Sequence, residues 1–181
     1  MSRVLTFSRY YPSYHPRVGE PTYFVEKFWK AIVMQGISID PKITNQFVWP
    51  DGWLDQAFES KHHTIRAGHR WKAGDWFSPR VWSGTPYRSK QIVIGPDIQV
   101  KKTWDFKVTQ IKNPFYLNVE LNGSMICDIQ SNQAFLGGLN KLQTIATNDG
   151  LGWEDFQYWF RFGDGKDFDG QIICWNDQIE Y

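Results

Sequence analysis

A chain of 181 residues that is 41% hydrophobic and 22% charged can bury a proper core yet stays within the usual size of one domain, so one domain is the default. Its formal net charge of +1 excludes a protein that coats nucleic acid indiscriminately, because such proteins carry a large basic excess. No apolar run approaches the ~18 residues of a membrane span, and Met1 to Tyr10 lacks the basic-then-apolar plan of a signal peptide, so a cytoplasmic protein without a membrane partner is expected.

The first strand signal is Val4 to Ser8, followed by a Pro-, Gly- and Tyr-rich stretch from Tyr10 to Glu20 that has no period and reads as an ordered loop or arm. Phe24, Phe28 and Ile32 recur at four-residue spacing with Val25 and Trp29 alongside, so the pattern predicts a helix over Pro21 to Gln35, with Pro21 in its first turn and Gly36 at its end. A short helix over Trp53 to Glu59 would be opened by Asp51. Beyond Thr64 the period changes to two. Ile98, Val100, Trp104, Phe106 and Val108 share one face, which predicts one long half-buried strand over Asp97 to Thr109. Asn122-Gly123 between alternating runs is a two-residue hairpin signal.

Two helices then close the pattern. Phe135, Leu139, Leu142 and Ala146 predict one from about Asn132, which can cap it, and Trp153, Phe156 and Phe160 predict a shorter one after the turn Thr147 to Gly152. Gly170 to Trp175 reads as a last apolar strand. Strands in the middle with helices grouped at either end give an α+β fold with a mostly antiparallel sheet, of the kind that curls into a small barrel flanked by helices. The expectation is a single domain over 1–181, with 1–53 an N-terminal extension packed on the barrel. Cys127 and Cys174 sit in strand-like apolar surroundings, where free thiols behave as small buried hydrophobes. His62, His63 and His69 with these cysteines match no zinc spacing, and there is no Walker-type loop or Gly-x-Ser-x-Gly elbow, so neither metal nor cofactor is expected.

Charge is unevenly distributed. From Lys61 to Lys102 nine Lys or Arg stand against Asp75 and Asp97, whereas from Asp149 to Tyr181 eight acids stand against Arg161 and Lys166. Either the two segments pair with each other, or one end attracts phosphate and the other repels it. Ten Trp exceed what a core of this size needs for packing, and their flat apolar faces suit base stacking as well as burial. Arg80, Trp82, Tyr87 and Arg88 interleave cations with aromatics in the way single-strand recognition uses, or form a cation–π surface loop.

The most distinctive segment is Lys61-His62-His63-Thr64-Ile65-Arg66, followed by Arg70, Trp71 and the turn Gly74-Asp75. In an extended strand Thr64 and Arg66 share a face, and Lys61 joins them only from a bend entering the strand. By itself this is also a basic strand edge that discourages aggregation. The segment resembles the signature of ASCH domains in the PUA-like superfamily, a Lys-x-x-Thr-Ile-Arg-like element entering a strand and then a Gly-Asp turn. Asp149, in Asn148-Asp149-Gly150, falls where that family carries an acidic residue, usually Glu, between two late helices. As plain turn chemistry, Asp149 would instead cap the following helix. The resemblance runs from about Thr64 to Trp175 and leaves Met1 to Trp53 as more than a minimal member needs.

The resemblance implies a β-barrel with a cleft between barrel and helices, and ligands drawn from RNA, modified bases and nucleosides. The leading expectation is a module that binds RNA, modified DNA or a nucleoside-like ligand through Arg66, Arg70, Trp71, Arg80, Trp82 and Arg88. The alternative is an amidohydrolase acting on an acylated nucleoside such as N4-acetylcytidine. There a neutral Lys61 takes the proton of Thr64, Thr64 attacks the amide carbonyl, and Asp149 protonates the departing amine, with Arg66 or backbone amides holding the oxyanion. Aspartate is one methylene shorter than the family's glutamate. A third reading is a protein adaptor using the acidic last third and the Tyr-rich arm.

Overall fold

The computed structural model describes residues 2–47, 59–110, 117–127, 136–160 and 167–181. The fold is α+β with mostly antiparallel strands in two sheets. In the four-stranded sheet β1 (Arg3–Phe7) runs parallel to β3 (Trp76–Trp82), whose other edge takes β4 (Gln91–Val93) and β5 (Ile98–Gln99) antiparallel. The five-stranded sheet is antiparallel throughout, in the order β2 (His63–Ala67), β9 (Phe168–Cys174), β6 (Lys102–Gln110), β7 (Leu117–Leu121), β8 (Ser124–Cys127). Neither sheet closes on itself through strand pairing among the described residues.

The long strand expected over Asp97 to Thr109 is two strands. Ile98–Gln99 pairs with β3, whereas Lys102 onward pairs with β9, so the chain changes sheets at Val100-Lys101. The backbone groups freed there find partners on either side: Val100 N–H donates to Asp75 O at 2.8 Å and Lys101 N–H to Cys174 O at 2.7 Å. Period-two alternation survives such a crossing and therefore cannot reveal it. β9 has neighbours on both edges and is buried from Gly170 to Cys174, which is why Gly170 to Trp175 reads as a continuous apolar run. The Asn122-Gly123 hairpin is present, with φ of 48° and 74° at the two positions, the left-handed pair that a tight two-residue turn requires.

α1 (Phe24–Met34) begins three residues later than its periodicity implies. Pro21 is taken up in an isolated bridge with Tyr10, and Tyr23 enters the left-handed region at φ 56°, so the chain turns before the helix starts. Thr22 stitches that turn, its hydroxyl donating to Ser8 O at 2.7 Å and accepting from Phe24 N–H at 3.3 Å. Gly36 ends the helix at φ 77° as expected. A short helix not foreseen, α2 (Pro41–Thr44), is capped by Asp40 through Lys42 N–H at 2.8 Å. α3 (Leu136–Asn148) and α4 (Trp153–Trp159) follow the late pattern; the Asn132 cap and the helix expected after Asp51 lie outside the described residues.

One aromatic cluster ties the layers together. Phe7 of β1, Phe28 of α1, Phe77 of β3 and Trp175 after β9 meet with ring centroids 5.2 to 5.9 Å apart. β1 and α1 thus supply the core rather than decorate it, since Phe7, Phe28, Trp29 and Ile32 join the same buried cluster as β6 and β9. The Tyr10 to Glu20 arm is also fixed: Tyr11 and Arg17 both reach Asp155 Oδ2 on α4, at 2.8 and 2.7 Å. Cys174 is a buried free thiol, and burial pushes its pKa up to about 11. No helix among the described residues is long and apolar enough to cross a membrane.

Gly170 marks the tightest approach of backbone to backbone. A Cβ there would stand 2.1 Å from Arg66 O and 2.9 Å from Ala67 Cα, so β2 and β9 could not keep their register. Gly170→Ala is expected to cost at least about 2 kcal/mol in urea unfolding, whereas Gly137→Ala on α3, where a Cβ meets nothing, should stabilise by up to ~1 kcal/mol.

Candidate functional site

Lys61 lies in the bend entering β2 and is 1% exposed. Its Nζ donates to Asp149 Oδ1 at 2.7 Å and to the Asp149 carbonyl, and sits 4.1 Å above the Phe24 ring. Asp149 is placed by the end of α3. Its N–H still bonds Ile145 O at 2.9 Å, Gly150 turns left-handed at φ 75°, and Leu151 N–H returns to Ala146 O at 3.0 Å. Two further bonds hold this turn, Lys27 Nζ to Gly150 O at 2.6 Å and His62 N–H to Asn148 O at 2.8 Å, and Lys61 N–H to Lys27 O at 3.0 Å ties the adjoining bend to α1. The carboxylate that capping chemistry would aim at α4 points elsewhere. Gly152 is the N-cap of α4, and Asp149 spends its side chain on Lys61.

Burial disfavours the Lys61 ammonium and, although Asp149 pulls the other way, lowers its pKa to about 8. Burial by itself would raise the Asp149 carboxyl, but Lys61 and His63 outweigh it and hold the pKa below the ordinary carboxylate range. His63 is fully buried with Nδ1 3.6 Å from Asp149 Oδ1, an electrostatic contact beyond hydrogen-bond length, and burial lowers its pKa. Neither ring nitrogen of His63 has a hydrogen-bond partner among the described residues. Strand alternation sets His63 on the face opposite Thr64, so the spacing that sets it aside as a zinc ligand gives no sign of its place beside Lys61 and Asp149. Thr64 itself is buried, opposite Ile173 of β9.

Arg66, on the Thr64 face of β2, opens into a cleft of about 470 Å³ where β2 approaches β1. Three arginines, Arg3, Arg66 and Arg70, and two aromatic residues, Trp71 and Tyr87, line it. Arg66 donates to Thr6 O and to Ile65 O, the latter at 3.2 Å, which ties the two sheets together and leaves other donors of its five unused. Arg3 lies 4.1 Å over Trp71, donates to Arg70 O at 2.6 Å and pairs with Asp75 of the Gly-Asp turn. Trp71 is latched by Gln171, which accepts from its N–H at 2.7 Å and donates to its carbonyl at 2.9 Å.

Of the residues expected to bind ligand, Arg66, Arg70 and Trp71 are brought together in this cleft. Arg80, Trp82 and Arg88 do not line it: Arg80 bonds Ser78 and Gln91, Arg88 is exposed on the β3–β4 loop, and Trp82 packs behind Tyr87 with centroids 5.3 Å apart. The cleft adds Arg3 and Tyr87. Arg3 gives no local sign of its role, since only the parallel β1–β3 pairing carries it across some seventy residues. Lys61, Thr64 and Asp149 are not on the cleft wall, nor on that of a second cavity of about 270 Å³ beside α1.

The basic and acidic segments pair only in part. Lys61 meets Asp149, His69 meets Asp169 and Lys102 meets Glu180, while Arg66, Arg70, Arg80 and Arg88 have no carboxylate partner among the described residues. His69 bridges Asp105 and Asp169 at 2.9 and 3.0 Å, and those contacts raise its pKa. Among the described residues no cluster of three or more His, Cys, Asp or Glu is arranged to hold a metal ion. No protein-family model, curated protein or solved structure matches the chain.

Removing one member of a buried ion pair strands the other charge. Lys61→Met and Asp149→Leu are each expected to cost about 3–5 kcal/mol in chemical denaturation, and the double variant to recover most of that loss. A loss in the double variant equal to the sum of the two single losses would show that the pair itself contributes nothing.

Proposed function

We propose that this chain is an ASCH-type member of the PUA-like superfamily, its two sheets forming the barrel walls, and that it binds RNA, modified DNA or a nucleoside-like ligand in the Arg66 cleft. The observation that carries the reading is the convergence of Arg3, Arg66 and Arg70 with Trp71 and Tyr87 on one cavity of about 470 Å³, within the ~300–1,000 Å³ of small-molecule pockets. Arg66 and Arg70 are left without carboxylates while other cations of the same segment are neutralised, so positive potential concentrates in the cleft despite the net charge of +1. Guanidinium beside aromatic is the pairing that single-stranded nucleic acid exploits.

Titration with a single-stranded oligonucleotide at several salt concentrations tests this. Binding should weaken with salt, and Arg70→Ala, an exposed position, should reduce the slope of log K against log salt by about 0.7, one phosphate contact's worth. Absence of binding to any single strand or nucleoside would sink the proposal.

The amidohydrolase reading has one observation in its favour: Lys61, poised at a pKa of about 8, contacts Asp149 and lies three residues from Thr64. At pH 7 about one-tenth of Lys61 would be neutral and able to accept the Thr64 proton. Turnover of an acylated nucleoside would therefore rise with pH and level off above about 8. Thr64→Val, which keeps the shape of a buried side chain, should abolish turnover while leaving the melting temperature within a few degrees. Full activity in Thr64→Val would exclude threonine as nucleophile. Lys61 variants are the poorer probe, because the stability they are expected to lose is confounded with any loss of chemistry.

A further inference from the structure

Tyr87 combines two properties that core packing does not explain. Its backbone sits at φ 63°, in the left-handed region that a side chain with a Cβ rarely adopts, yet the residue is 88% exposed. The loop around it is braced rather than slack. Ser83 N–H bonds Lys90 O at 2.9 Å, and the Ser89 hydroxyl accepts from Gly84 N–H at 3.0 Å and donates to Thr85 O at 2.9 Å. The left-handed residue thus sits in a braced loop at the cleft and leaves its side chain largely uncovered, with the Trp82 ring 5.3 Å away at a 50° tilt.

Trp71, the other ring of the cleft, is not available in the same way. Arg3 covers it at 4.1 Å, and its edge packs on Phe77 at 6.2 Å and 87°. Trp71 is a fixed wall that positions a guanidinium, and Tyr87 is the free face. Close by are Arg66, near enough to Tyr87 for the two to interact electrostatically, and Arg70. A neutral nucleoside would leave these guanidiniums without a counter-charge, and a base still stacked in a duplex has no face to offer Tyr87.

We propose that the cleft holds one nucleoside phosphate, its base stacked on Tyr87 and its phosphate taken by Arg66 and Arg70, so that the ligand is a free nucleotide or one unstacked residue of a single strand. The assignment rests on the nucleic-acid reading above and narrows it to one ligand class.

The test uses 2-aminopurine riboside 5′-monophosphate and a short single strand carrying 2-aminopurine, each titrated by fluorescence into wild type, Tyr87→Phe and Tyr87→Ala. Wild type and Tyr87→Phe should quench and bind alike. Tyr87→Ala should bind at least about fivefold more weakly while its salt slope stays at the wild-type value, separating stacking from charge. Similar wild-type affinities for the two probes assign the site to a single nucleotide; a tighter strand adds phosphate contacts outside the cleft around the same stacked base. If wild type binds both and Tyr87→Ala binds as tightly, the platform is overturned while the nucleic-acid reading stands. If wild type binds neither, that reading falls and the assignment with it. Because Tyr87 is so exposed, the variants should melt with wild type, and matched melting curves keep the comparison valid.

Discussion

The buried pair between Lys61 and Asp149 is the constraint on which the site depends. Two charges withdrawn from water incur a desolvation penalty that their mutual attraction repays only with good geometry and further hydrogen bonds. Here the repayment comes from Asp149 Oδ1 and the Asp149 carbonyl, with the Phe24 ring as a third partner for the ammonium. The same contacts make β2 start at one place. Lys61 is bonded to Lys27 O and to the Asp149 turn, so the next residues enter the sheet with His63 on one face and Thr64 and Arg66 on the other. A slip of one residue in β2 would reverse those faces and turn Arg66 away from the cleft.

The cleft follows from the fold having two sheets. β1 belongs to one sheet and β2 to the other, and Arg66 spans the gap by donating to Thr6 O. The aromatic cluster of Phe7, Phe28, Phe77 and Trp175 holds the sheets together behind this junction. Polar groups lost at the junction have to find partners, and Gln171 supplies two of them to Trp71 from the centre of β9. The cleft wall is therefore anchored in the core sheet and needs little reorganisation to receive a ligand. Preorganised donors and fixed aromatic faces reduce the ordering cost of binding, which matters for a surface with few charges to spare.

Local chemistry was legible in the sequence and long-range placement was not. The Asn122-Gly123 hairpin, Gly36 as a helix terminator and the Thr64–Arg66 face are set by backbone preferences over a few residues, and each appears where those preferences put it. Three features were decided by distant partners instead. The Asp97 to Thr109 run splits because its halves pair with different sheets, Pro21 leaves α1 because Tyr10 claims it, and Asp149 abandons its cap because Lys61 arrives from 88 residues away. The cleft shows the same division. Arg66, Arg70 and Trp71 lie close in sequence and were found together; Arg3 joins them only through the β1–β3 ladder, and Arg80 and Arg88 drop out because β3 and its loop send them elsewhere.

The uneven charge acquires a physical meaning once the pairs are known. Lys61 and Lys102 are tied to acids of the last third of the chain, which removes them from the long-range field and leaves Arg66 and Arg70 of the cleft as a local positive centre. Exposed Glu154 and Asp177 have no cationic partner among the described residues and disfavour a polyanion there. A ligand carrying phosphate therefore experiences attraction at one place and repulsion at others, which orients it without requiring a large net charge. Orientation of this kind supports selective capture of a short segment far better than coating of a long one. It is consistent with the proposed occupant of a cleft of about 470 Å³ in which Tyr87 is the most exposed aromatic residue.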